Sequence, residues 1–339
     1  MRSLYTPPKN FNLIFVLLCL TVFIQTFIFS YVNASTPKRN PVIVSLGDSF
    51  SSGEGIPPFY GQEALNKDKV KNHDWLAHRS QNSWPGKLTL PDVKGQMRHN
   101  RNTNWFFSAT SGAKIEHLTN SFRKKYEVYE ITGYEDIPPQ LDIFKELGDK
   151  KADYVTVTIG GNDASFVKAV IDTAYSTIKP ESLQARLDKI WAEFFRNGGI
   201  RDCLKQAYTD ISDTAGPQAT IIVAGYPRLI FEDADNVLFK KENIMLLNNS
   251  VSEFNREIEK IVNSLKNNGM NIHFVSVEDE FKGHEAYSPD PYINPIMIME
   301  MEDITHSFIS AYSIHPNEKG AEAYARCVQR KIDELEEST

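Results

Sequence analysis

The chain of 339 residues is 41% hydrophobic and 24% charged, an ordinary globular composition that argues against collagen-like, disordered or multi-spanning membrane proteins. Its formal net charge is −7, and no basic stripe with interleaved aromatics is present, so a nucleic-acid partner is not expected.

The N-terminus differs from the rest. Arg2, Lys9 and Asn10 precede an uncharged run from Phe11 to Val32. Val32-Asn33-Ala34 puts small residues where a signal peptidase would cut after Ala34, and the run is also long enough to span a bilayer once. Residues 1–34 are therefore expected to be a signal peptide or a membrane anchor. Residues 35–41 read as a polar linker, and 42–339 as one domain. Either reading places the protein outside the cytoplasm, secreted or in the cell envelope, with membrane association through residues 11–32 if the segment is retained.

Short apolar runs then alternate with helical patterns. Strands are expected at Val42–Leu46, Trp105–Ser108, Tyr154–Ile159, Ala219–Ala224 and Asn271–Val275. The third run is β-branched and closed by Gly160-Gly161. Pro138-Pro139 opens a helix through Leu147, and residues 164–215 are helical in character. Ile244, Leu247, Val251, Phe254, Ile258, Ile261 and Leu265 form one apolar stripe on a long helix ended by Asn268-Gly269. Apolar runs alternating with helices predict an α/β domain: a parallel sheet with helices on both faces.

Of the three cysteines, Cys19 lies in the export segment. Cys203 and Cys327 could pair or remain free thiols. No Cys/His cluster has zinc spacing, and neither a metal nor a cofactor is expected.

Three segments, each just after a strand or before a helix, carry the chemistry. Gly47-Asp48-Ser49-Phe50-Ser51-Ser52-Gly53-Glu54-Gly55 places a serine at the C-terminal rim of the first strand, where open α/β sheets bind ligands. Taken alone, a serine between glycines is mostly a turn. Gly160-Gly161-Asn162-Asp163 offers a carboxamide that could donate to a developing oxyanion, or simply a turn and helix cap. His315-Pro316-Asn317 precedes the last helix, and its imidazole has the right basicity to activate a serine. Among the other histidines, His284 is the one in a comparable turn-like setting.

The order GDS, GGND, HPN resembles the SGNH, or GDSL, hydrolase family, and most resembles its actinomycete-type secreted esterases and lipases. Supporting stretches are GDSFSSGEG at 47–55, HRSQNSWPGKL at 78–88, SATSGA at 108–113, IPPQLD at 137–142, VTVTIGGNDASF at 155–166, GYPRL at 225–229, FKGHE at 281–285 and HPNEKGAEAYA at 315–325. The resemblance implies a flavodoxin-like three-layer α/β/α sandwich and hydrolysis of small-molecule or lipid acyl esters. It implies Ser49 as nucleophile and His315 as general base. The oxyanion hole would comprise the N–H groups of Ser49 and Gly112 and the side chain of Asn162.

Two departures stand out. Where many members carry Asp three residues before the histidine, this chain has Tyr312. The expectation is a Ser49–His315 dyad with a main-chain carbonyl, that of Tyr312, orienting the ring; Asp303 is the carboxylate that could otherwise complete a triad. Cysteines common in the secreted branch near the HRS, SGA and GHE segments are replaced by Ala77, Thr110 and Tyr287. Two other functions fit the same scaffold: an O-acetylesterase or acyltransferase acting on cell-surface glycans, and an inactive binding module.

Overall fold

The computed structural model describes residues 40–128, 131–176, 179–234, 238–298 and 309–338. Residues 1–34, expected to direct export, most of the expected linker and Asp303 lie outside the described residues.

Seven strands are present: β1 (Ile43–Gly47), β2 (Trp105–Phe107), β3 (Phe122–Val128), β4 (Ile131–Ile137), β5 (Tyr154–Thr158), β6 (Thr220–Ala224) and β7 (Ile272–Val275). Five of them form one parallel sheet in the order β2-β1-β5-β6-β7. All five expected strands are found within a residue or two of their expected bounds. Every residue of β1 and β5 is buried, as required of central parallel strands covered on both faces. Ser45 at the centre of β1 is satisfied within the sheet: Trp105 Nε1 of β2 donates to Ser45 Oγ at 3.0 Å, and Thr156 Oγ1 of β5 at 2.9 Å.

Helices flank the sheet. Lys241–Asn267 carries the anticipated stripe, with Ile244, Leu247, Val251, Phe254, Ile258, Ile261 and Leu265 all buried. The region 164–215 resolves into Phe166–Ser176, Pro180–Phe195 and Ile200–Ala215, and the first packs Phe166 edge-on against Phe254 at 5.1 Å. The last helix, Glu318–Glu337, stacks Tyr324 on Trp84 at 5.8 Å and meets Phe281 at 5.3 Å. The expected helix before Leu147 is a 3-10 helix, Gln140–Leu147.

The antiparallel hairpin β3–β4 was not anticipated. Its residues facing a second, smaller core (Phe122, Tyr126, Val128, Ile131, Ile137) pack around Phe59, Trp75, Leu76 and Tyr312. Cys203 is exposed and Cys327 buried, and both are free thiols. Among the described residues, no helix is long and apolar enough to cross a membrane, and no group of three His, Cys, Asp or Glu could hold a metal ion.

Strand order places the site. Counted within the sheet, the order is 2-1-3-4-5, whose crossover direction reverses between β1 and β5; ligands of such sheets bind outside the carboxyl ends of the strands at that switch point. Ser49 follows β1 and Asn162 follows β5.

Candidate active site

The turn after β1 is pinned before it reaches the serine. Gly47 has φ +126°, and a Cβ there would lie 2.3 Å from Thr158 O, so only glycine fits. Gln140 brackets its peptide: Gly47 N donates to Gln140 Oε1 at 2.7 Å and Gln140 Nε2 to Gly47 O at 2.8 Å. Asp48 N donates to Thr158 O at 2.8 Å, and Thr110 N to Gly47 O at 2.9 Å. Asp48 then caps the single helical turn Ser49–Ser52 by accepting from Phe50 N.

Across from that turn, Ser49 Oγ lies 2.7 Å from His315 Nε2, and His315 Nδ1 lies 2.9 Å from Ser313 O. Ser49 is 5% exposed and His315 7%. A carbonyl only accepts, so Nδ1 carries the proton and Nε2 turns its lone pair to the serine hydroxyl. Burial holds the His315 pKa below its ordinary value; the Glu54 charge and the carbonyls of Ser313 and Ala311 oppose this without overcoming it.

The carbonyl facing Nδ1 corrects the sequence expectation, because it is that of Ser313 and not of Tyr312. Tyr312 O instead closes the local turn, accepting from His315 N at 3.4 Å and from Asn294 Nδ2 at 3.3 Å. Ile314, at φ +61°, reverses the chain between Ser313 and His315. Asn294 fixes this segment further, exchanging backbone bonds with Ile314 and His315 at 3.1 and 2.8 Å. Asn317 caps the last helix through Gly320 N.

The other expected residues gather at the same rim. Asn162 Nδ2 donates to Ala113 O at 2.9 Å, and Asp163 accepts from Ile115 N at 3.1 Å. These two bonds clamp the Gly160–Asp163 loop to the segment carrying Gly112. Gly112 sits at φ +81° on an exposed turn beside the Phe122 ring. Lys124 Nζ holds that turn by donating to Ser111 O at 3.0 Å. Ser49 and Asn162 line one small pocket, with Asp48, Gly161 and the apolar groups Phe50, Phe166, Val167, Tyr226, Leu229 and Val251. His284 lies elsewhere in the fold's logic: it stacks on Tyr292 at 3.9 Å with Nδ1 against Asp290 O.

Several site residues had no assigned role in the sequence, although they fall in stretches that carried the resemblance. His78 Nδ1 lies 2.8 Å from both carboxylate oxygens of Glu54, each residue 1% exposed, with Phe59 stacked on the imidazole. Arg79 holds the segment after β2 through bonds to Ala109 O and Ser108 O. Tyr226 Oη donates to Asp48 Oδ2 at 2.5 Å, and Thr158 Oγ1 donates to Asp48 Oδ1 at 2.8 Å. Burial nonetheless pushes the Asp48 carboxyl up to about 6.

Comparisons with known proteins bear on the family and the fold. Residues 43–328 match the sequence profile of the GDSL-like Lipase/Acylhydrolase family. The chain is 23% identical over 276 residues to Lipase 1 of Streptomyces coelicolor, covering 80% of this chain and 83% of that protein. It is 25% identical over 258 residues to a lipase of Streptomyces rimosus, covering 75% and 76%. The crystal structure of the extracellular lipase from Streptomyces rimosus superposes with a TM-score of 0.57 at 23% identity, covering 86% of this chain and 99% of that one. The phospholipase A1 from Streptomyces albidoflavus gives 0.59 at 18% identity, covering 87% and 99%. The chain belongs to the GDSL-like lipase/acylhydrolase family and is a hydrolase of the esterase and lipase type.

Proposed function

We propose that the protein hydrolyses carboxylic acyl esters through a Ser49–His315 dyad. The observation that carries this reading is the contact of 2.7 Å between Ser49 Oγ and His315 Nε2, with Nδ1 already engaged by the Ser313 carbonyl. Ser49 attacks the ester carbonyl while His315 takes its proton. The N–H groups of Ser49 and Gly112 and the Asn162 carboxamide receive the oxyanion. Asn162 Nδ2 carries two hydrogens and gives one to Ala113, so the second is available to the substrate. His315 then protonates the leaving alcohol, and water releases the acyl group.

The lining beside Ser49 is mainly apolar, which suits the acyl side of an ester. Relatives named as lipases point the same way. On this reading the substrate is a lipid or small-molecule ester.

The dyad does without a side-chain carboxylate. The Ser313 carbonyl fixes the ring and its tautomer. Ser49→Ala should leave the fold intact and lower ester hydrolysis by roughly 10⁶, the loss typical of a serine nucleophile. Near-normal turnover by the folded variant would rule the mechanism out.

Export is part of the proposal. Cleavage after Ala34 would leave a mature chain beginning at Ser35, which N-terminal sequencing of secreted protein tests directly. A membrane-bound product retaining residues 11–32 would support an anchor instead.

A further inference from the structure

The nucleophile and the Asn162 donor proposed above lie just beyond the ends of two adjacent strands. The ladder between β1 and β5 ends at the pair Gly47 and Thr158. Asp48 N to Thr158 O continues it by one bond. Beyond that point Ser49 and Asn162 belong to segments that the sheet no longer holds together.

One side chain from the next strand spans the gap. Tyr226 follows β6, which pairs with β5. Its hydroxyl donates to Asp48 Oδ2 at 2.5 Å and accepts from Gly161 N at 3.1 Å. Asp48 is the residue before Ser49, and Gly161 the residue before Asn162. We propose that Tyr226 is a positioning residue that sets the distance between the nucleophile and the Asn162 oxyanion donor, an inference that rests on the hydrolase reading above.

The chemistry suits the task. A phenol both donates and accepts, so it can link a carboxylate to a peptide N–H. The bond to Asp48 is charge-assisted when the carboxyl is ionised, and it polarises the phenol toward the Gly161 N–H. The anchor itself is fixed. Tyr226 N donates to Asn255 Oδ1 at 2.8 Å, and Asn255 Nδ2 returns a bond to Tyr226 O at 2.7 Å. The ring meets Phe50 edge-on at 5.2 Å and lies 5.9 Å from Phe254. Close approach needs a glycine opposite: a Cβ on Gly161 would sit 3.0 Å from the ring. Thr158 also donates to Asp48, but it makes no contact of this kind with the Gly161 loop.

A double-mutant cycle tests the claim, using the mature protein and p-nitrophenyl butyrate. Asn162→Ala should lower kcat by about 10²–10³. Tyr226→Phe should lower kcat by on the order of 10², the cost of misplacing a catalytic group by about 1 Å, with KM within about twofold. The double variant should be no slower than about threefold below Asn162→Ala alone, because a loop that has lost its donor gains nothing from being held. Thr158→Val combined with Asn162→Ala should multiply. Multiplicative losses for Tyr226→Phe with Asn162→Ala, or less than twofold loss for Tyr226→Phe alone, would overturn the proposal. So would equal non-additivity with Thr158→Val. An unaltered kcat in Asn162→Ala would instead sink the oxyanion reading on which the proposal stands. Should Tyr226→Phe fail to fold, Gly161→Ala displaces the same contact from the other side and must show the same non-additivity.

Discussion

Asp48 and Glu54 lie in one nine-residue motif, and each is only 1% exposed, yet their acidities shift in opposite directions. The Asp48 carboxyl is pushed up to about 6, while that of Glu54 is brought down to about 2. Desolvation is the largest influence on both and raises both. What differs is the partner. Asp48 meets neutral donors only: the Tyr226 and Thr158 hydroxyls and the Phe50 N–H. Glu54 meets the His78 imidazole with both carboxylate oxygens, and that charge and its hydrogen bonds overcome desolvation. Neutral hydrogen bonds make a buried carboxylate tolerable; an opposite charge makes it a strong acid.

The two groups therefore give opposite pH dependences of stability. Glu54 is a depressed acid, so its contribution is complete above its ordinary value of 4.5 and is lost as pH falls toward 2. Asp48 is a raised acid that holds its proton more tightly when folded, so its contribution falls as pH rises from 3.8 through about 6. The division follows the architecture. Glu54 and His78 pin the floor of the second core, between Phe59 and the segment that carries His315. Asp48 links the two loops that carry the reacting groups.

The sharpest break of this contrast is Glu54→Gln. It leaves His78 without its carboxylate in a buried site, and unfolding should show a loss of about 3–5 kcal/mol, as for other buried pairs deprived of one partner. A loss under about 1 kcal/mol would show that the pair contributes nothing. Asp48→Asn should cost less, within about 2 kcal/mol near neutrality, because relief from burying a charge offsets the mismatch of an amide facing Tyr226. Denaturation across pH 4–6 should also lose the downward slope that Asp48 confers; a variant as damaged as Glu54→Gln would contradict the assignment. Smallest of all are the effects around the His315 ring. Tyr312→Phe keeps every main-chain acceptor and should cost about tenfold or less in kcat. The same holds for Asp303→Asn, against about 10⁴ for loss of a true triad carboxylate.

How far the sequence went follows from where each constraint resides. Parallel strands buried on both faces announce themselves as apolar runs, so the sheet was legible; Ser49, Asn162 and His315 were picked out by the resemblance of their motifs to the family, since each segment taken alone also reads as a turn or a cap. The hairpin β3–β4 was hidden because its apolar positions alternate with charges such as Arg123 and Lys125, and it faces a minor core. Tyr226 and Glu54 escaped because their roles are long-range: 178 positions separate Asp48 from Tyr226, and 24 separate Glu54 from His78. A sequence shows a tyrosine after a strand but not which carboxylate it reaches. The orienting carbonyl was misplaced by one residue because the backbone reversal at Ile314 decides which peptide faces the ring, and an isoleucine gives no hint of a left-handed conformation.

The central claim is that a buried serine is activated by a histidine whose basicity burial has lowered. The rate of labelling by a fluorophosphonate, followed by mass spectrometry from pH 4 to 9, tests it most directly. The label should sit on Ser49, and its rate should rise with a single ionisation whose midpoint lies below the ordinary imidazole value of 6.5, since only neutral His315 can accept the proton. A folded protein that takes no label on Ser49, or labels with a midpoint clearly above 6.5, would contradict the account.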